Sequence, residues 1–236
     1  MRRHSPTPVH PFDRRHGTDT SGLLPGVEIQ RGTGAPLTHL TAYYGIAPSI
    51  LEGVLDLWLQ RTKPKLPIDH YIFYDVGAGK GRALLLAAHH PFRAVEGVEL
   101  NPGLAAIAKR NLEAVQGDSD SCLLAPASVV CADATQHPLP AGPTLAFLFH
   151  PFERPVLRRF IRHVEESLRF RPRPFDLIYV NAEQGGWLDT QESLRLLWEG
   201  AVAMSTEDLA ADLAEIAQQT EYGSTGDEFC KIYRFG

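Results

Sequence analysis

Residues 71–101 read YIFYDVGAGKGRALLLAAHHPFRAVEGVELN, and this stretch decides the fold. YIFYDVG is a strand, RALLLAAHH an apolar helix and AVEGVEL a second strand. Between the first strand and the helix lies Asp75-Val76-Gly77-Ala78-Gly79-Lys80-Gly81-Arg82. Glycines there let the backbone turn tightly and approach a ligand closely. The helix that follows offers free N–H groups and a partial positive charge, which suit a carboxylate or a phosphate. Two familiar phosphate loops are excluded by spacing. GxxxxGK followed by Ser or Thr is absent, and the dinucleotide pattern GxGxxG needs glycine at 82, where Arg82 stands.

Outward from this stretch the rhythm continues. PGLAAIAKRNLEAV is a helix with Pro102 in its first turn. SVVCADA and LAFLFH are strands, ERPVLRRFIRHVEESLRF is a helix, and FDLIYVNA is a further strand. Strands that alternate with helices, and are apolar along their length, indicate a parallel sheet covered on both faces. Farther on, 187–200 and 206–219 read as helices and EFCKIYRF as a final, alternating strand. Upstream, PSILEGVLDLWLQR is helical, with Ile50, Val54 and Leu57 on one stripe.

Ligands of open parallel sheets bind beyond the carboxyl ends of the strands. Asp75, Glu99, Asp133 and His150 all fall at such ends. Glu99 is placed to accept both hydroxyls of a ribose diol. Asp133 has two readings: acceptor for an exocyclic adenine amine, or a turn cap. His150 is a general base, a hydrogen-bonding positioner or a packed cap of the next helix. Tyr43 and Tyr44 either cover the pocket or anchor the first helix. Lys80 and Arg82 meet a ligand carboxylate, unless Lys80 faces solvent.

These residues resemble the class I S-adenosylmethionine-dependent methyltransferases. The family pattern acidic-x-Gly-x-Gly-x-Gly matches DVGAGKG, its ribose-binding acid matches Glu99, and its third acid matches Asp133. The resemblance runs from Tyr43 to about Asn181. It implies a Rossmann-like α/β fold: a mostly parallel seven-stranded sheet, helices on both faces and an antiparallel C-terminal edge strand. It also implies S-adenosylmethionine as cofactor, bound by Asp75, Gly77, Ala78, Gly79, Gly81, Glu99, Leu100, Asp133 and Ala134. FYDVGAGKGRALLLAA, VEGVELNPGL and LFHPF are similar to a poorly characterised bacterial group with a DxGxGKGR motif. That first motif also resembles the one in histone-lysine methyltransferases lacking a SET domain. The family's fourth motif, Asn or Asp then Pro-Pro and an aromatic, corresponds to His150-Pro151-Phe152. The first residue departs and the second proline is absent. The resemblance makes these three the catalytic candidates, with Tyr43 and Tyr44 beside the substrate pocket.

The activity this implies is methyl transfer to a protein side chain or a small-molecule amine. The alternative is a non-catalytic cofactor-binding or interaction module. Net charge is −5, which argues against broad nucleic-acid binding, although a local patch can still do it. Charge is segregated: 183–228 hold eleven acidic residues and one basic, whereas Arg154, Arg158, Arg159 and Arg162 share one helix. That arginine block is the better candidate for an anionic partner. Three cysteines without CxxC spacing make a disulfide framework or a metal site unexpected, and Cys131, in an apolar run, reads as core. No stretch is long enough to span a bilayer, and no secretory signal is visible, so cytoplasm is expected. Residues 1–35, rich in Pro, Gly, Thr, Arg and His, read as a flexible tail. Residues 36–236 read as one domain with a helical cap over 36–70.

Overall fold

The computed structural model describes residues 8–26, 29, 41–117, 122–217 and 226–236. In chain order it contains α1 (Pro11–His16), α2 (Pro48–Arg61), β1 (Ile72–Val76), α3 (Arg82–Ala87), β2 (Ala94–Glu99) and α4 (Pro102–Gln116). Then come β3 (Ala127–Cys131), β4 (Thr144–Phe149), α5 (Arg154–Phe170), β5 (Phe175–Val180), α6 (Gly185–Leu188), β6 (Leu194–Ala203), α7 (Thr206–Ile216) and β7 (Asp227–Phe235).

The strands form one seven-stranded sheet in the order β3-β2-β1-β4-β5-β7-β6. The first five are parallel, and β7 runs antiparallel to both β5 and β6. This is the expected Rossmann-like class I methyltransferase fold, except that the antiparallel C-terminal strand β7 lies between β5 and the edge strand β6. The order reverses between β1 and β4, so a crevice opens there, above the carboxyl ends of the strands.

β1 and β5 are buried at every position, as strands covered on both faces must be. One core cluster joins Trp58, Phe73, Leu84 and Phe147; a second joins Tyr74, Phe160, Phe175 and Tyr179. α5 is amphipathic: Leu157, Phe160, Ile161 and Val164 pack inward, while Arg154, Arg158, Arg159 and Arg162 are exposed. A buried polar knot ties the sheet to α2. Arg234 donates from Nε and Nη2 to the two oxygens of Asp176 at 2.7 and 2.8 Å, and Trp58 Nε1 donates to Asp176 Oδ2 at 2.8 Å. No helix among the described residues is long and apolar enough to cross a membrane.

Three local expectations are corrected. Residues 187–200 are not a helix. Leu194–Ala203 is the outermost strand, and a register shift between Leu196 and Trp198 breaks the alternation that would have marked it. Cys131 is exposed, not core, because β3 is the other edge strand and is half-covered. Residues 8–26 are packed rather than a loose tail. His10, Phe12, Asp13, Thr20 and Ser21 are buried, and Asp13 accepts hydrogen bonds from the backbone N–H groups of Thr20 and Ser21 and the hydroxyls of Thr18, Thr20 and Ser21. Polar composition concealed this segment because, beside the buried Phe12, it is held by a hydrogen-bond network around Asp13. The rest of the expected tail and cap (1–7, 27–28 and 30–40), and residues 218–219 of the last expected helix, lie outside the described residues.

Candidate functional site

Asp75 sits near the end of β1 and Glu99 at the end of β2, with the glycine turn between them. Gly77 and Gly79 have φ of +81° and +55°, a region costly for side chains. Their missing Cβ atoms also make room. A Cβ on Gly77 would lie 2.6 Å from Pro151 Cβ, and one on Gly79 would lie 2.3 Å from the Tyr43 ring. The turn is thus roofed by two of the residues singled out from sequence.

Glu99 braces the turn. Its Oε2 accepts from Gly79 N at 2.8 Å and its Oε1 from Asn101 N at 2.7 Å. Burial pushes its carboxyl up, and those backbone N–H groups pull it back. Asp75 is different: it is buried, and no hydrogen bond reaches its carboxyl among the described residues. Burial, with Glu99 nearby, pushes it up to about 8. Asp133 acts as a turn cap. Its Oδ1 accepts from the backbone and hydroxyl of Thr135, both at 2.8 Å, and Oδ2 accepts from Gln136 Nε2 at 3.1 Å.

Asp75, Gly77, Ala78, Gly79, Glu99, Leu100, Asp133 and Ala134 line one cleft, with Tyr43, Tyr44, Pro151 and Phe152. Gly81 is set back from it, beneath α4, where an added Cβ would touch Ala108. The cleft has a volume of about 110 Å³. It is narrow because 41–46 cross it: Thr41 Oγ1 donates to the His150 carbonyl at 2.6 Å, and Tyr43 OH donates to Thr20 O at 2.7 Å.

Lys80 turns away from the cleft, and Arg82, which lines it, is engaged by protein groups. Lys80 is buried, and its Nζ donates to Asp19 Oδ1 at 2.9 Å and Ser21 O at 2.5 Å. Arg82 donates from Nε to Thr20 Oγ1, from Nη2 to Thr20 O and from Nη1 to Gly45 O. Both cations of the turn fasten the N-terminal segment, whose carbonyls nothing else in the sequence marks as ligands.

His150 lines a second cavity, of about 520 Å³, that shares Thr41, Ala42, Tyr44 and Phe149 with the first. Its Nδ1 lies 2.7 Å from Tyr179 OH and its Nε2 lies 3.4 Å from Glu183 Oε2. Burial lowers the imidazole, against the pull of Glu183 and Glu153. Glu183 and Glu228, both on this wall, escaped the sequence reading. Glu183 had a signal: it follows β5 at the same end of the sheet as Asp75, Glu99 and His150. Glu228 had none, because it arrives from the antiparallel strand.

No family model matches the chain. No curated protein matches it. Solved structures do resemble it. The [4+2]-cyclase SpnF is 17% identical with a TM-score of 0.52, over 88% of this chain and 90% of that one. The methyltransferase domain of bacterial CtHen1-C is 14% identical with a TM-score of 0.52, over 80% and 98%. Magnesium protoporphyrin IX methyltransferase from Synechocystis PCC 6803, crystallised with bound SAM, is 11% identical with a TM-score of 0.51, over 80% and 79%. At these identities the likeness establishes the fold, which serves a cyclase as well as methyltransferases.

Proposed function

We propose that this chain is an S-adenosylmethionine-dependent methyltransferase whose acceptor is a protein side chain or a small-molecule amine. One observation carries the reading: Asp75, Glu99 and Asp133, from three adjacent strand ends, surround one cleft under a glycine turn. The methyltransferase neighbours and the DxGxGKGR motif support it.

The residues fit that cofactor chemically. Asp75 is a buried carboxyl with no hydrogen-bond donor among the described residues, which suits the ammonium of a methionyl group. Each Glu99 oxygen accepts one backbone N–H and keeps a lone pair for a ribose hydroxyl. Leu100, Leu104 and Ala134 give an adenine-sized apolar wall, with Asp133 at its rim. When bound, the cofactor supplies a methyl already activated on a sulfonium. The chain's work is to align an acceptor with it and to exclude water. Pro151 and Phe152 line the donor cleft, Thr41, Tyr44 and Phe149 border both cavities, and His150 faces the acceptor side.

Calorimetric titration with S-adenosylmethionine and S-adenosylhomocysteine, using NADH as control, tests the reading. Saturable binding of the first two, lost in Glu99→Ala, supports it. Failure of a cooperatively melting protein to bind either one moves a non-catalytic interaction module to first place. One observation favours that second reading: Thr41 Oγ1 already holds the His150 carbonyl at 2.6 Å, which leaves it one lone pair for an acceptor N–H.

A further inference from the structure

The second cavity holds a feature that methyl-donor binding does not require. His150 and Asn181 end the adjacent strands β4 and β5, and both have left-handed backbones, with φ of +38° and +50°. Such strain persists only where the surroundings impose it. Both side chains turn to the same carboxylate: His150 Nε2 lies 3.4 Å from Glu183 Oε2, and Asn181 Nδ2 lies 3.5 Å from Glu183 Oε1.

This arrangement favours the Nε2–H tautomer of His150. A carboxylate only accepts, so the nitrogen facing it carries the proton. Nδ1 then accepts from Tyr179 OH at 2.7 Å. In that tautomer Nδ1 is engaged by Tyr179 OH and Nε2 has no lone pair, which makes His150 a positioning residue rather than a base. Glu183 is left with unused lone pairs beside the cavity, and its side chain is 59% exposed at the mouth.

Carboxylates outnumber cations on the rest of the described wall. Glu153 and Glu228 line it, and Arg154, whose Nε is directed to Gln184 Oε1 at 3.1 Å, opposes them. Leu23, Phe149 and Ile216 supply apolar surface. We propose that this cavity is the methyl-acceptor site and that it takes an amine bound as its cation, on an apolar body, gripped by Glu183. The proposal rests on the methyl-transfer reading and narrows it. In the reaction the amine sheds one proton to solvent through the open mouth. Its lone pair forms the new N–C bond, and the C–S pair stays on sulfur.

Three isosteric probes test this: phenethylamine, 2-phenylethanol and phenylacetate, each titrated calorimetrically into the full chain with and without S-adenosylhomocysteine. Phenethylamine should bind saturably, the alcohol at least about ten-fold more weakly, and the acid not at all. Glu183→Gln should weaken the amine about ten-fold while the affinity for S-adenosylhomocysteine is unchanged. Equal binding of amine and alcohol, no amine binding, or an unaffected Glu183→Gln protein overturns the proposal. A protein that binds the amine but not S-adenosylhomocysteine overturns the methyl-donor reading instead. Nitrogen-15 NMR of His150 gives a second readout: an Nε2–H tautomer is expected, and Nδ1–H contradicts the assignment.

Discussion

Arg82 holds Thr20 twice: its Nε donates to the hydroxyl at 2.7 Å and its Nη2 to the carbonyl at 3.2 Å. The guanidinium is buried and bridges the glycine turn to a segment sixty residues earlier in the chain. Removing it takes the donor from the Gly45 carbonyl and from the Thr20 hydroxyl, while the Thr20 carbonyl keeps only Tyr43 OH. Arg82→Ala should cost about 2–4 kcal/mol in urea unfolding. Tryptic cleavage after Arg14 or Arg15 should speed up. Arg82→Lys should not restore either, since one ammonium cannot reproduce the planar fork. An unchanged cleavage rate would show that the segment docks without Arg82.

Asp176 is wholly buried and serves Arg234 and Trp58 together. Asp176→Ala strands a buried guanidinium, so it should lower stability by about 3–5 kcal/mol. Glu199, half-exposed and 2.8 Å from Lys231, provides the contrast. Glu199→Gln should cost only ~0–1 kcal/mol. Equal losses in the two variants would mean that burial does not set the difference.

Asp75 is pushed from 3.8 up to about 8 by burial, with Glu99 adding to it. Its folded form therefore binds a proton more tightly than the unfolded chain does. The corresponding stability is fully present below pH ~4 and is lost as pH rises to ~8. Asp212, pushed up to about 6, and Glu228, pushed up to about 7, act in the same direction. Asp75→Asn should flatten the decline of the melting temperature over that window. A cationic ligand group at Asp75 should expel its proton, seen as buffer-dependent heat of S-adenosylmethionine binding at pH 7. Heat that is the same in every buffer would count against an ammonium at Asp75.

Gly79→Ala meets two obstacles, the φ of +55° and the Tyr43 ring. The strain should cost about 1–3 kcal/mol. Pairing it with Tyr43→Ala removes the collision but not the strain. A double-mutant cycle should therefore show partial rescue of S-adenosylmethionine affinity. Full rescue would assign the whole effect to the ring.

The parallel half of the sheet was legible because buried strands and amphipathic helices write their period into the sequence. Asp75, Glu99 and His150 were legible because strand ends are easily located. β6 was not, since a bulge at Leu196 and Trp198 disrupts its alternation. The docked segment 8–26 was illegible for a different reason. Asp13, Thr18, Thr20 and Ser21 look like loop residues until Asp13 is seen to gather them. Lys80 was misjudged because its partners, Asp19 and the Ser21 carbonyl, are far away in sequence. Glu183 was within reach of the strand-end rule.

The glycine turn has two sides: its backbone borders the cleft, while Lys80 and Arg82 grasp the segment behind it. One short loop is therefore a shared bearing surface for two binding equilibria. Linkage makes their relationship symmetric. By whatever factor the docked segment tightens the cleft for an occupant, that occupant tightens the docking of the segment by the same factor.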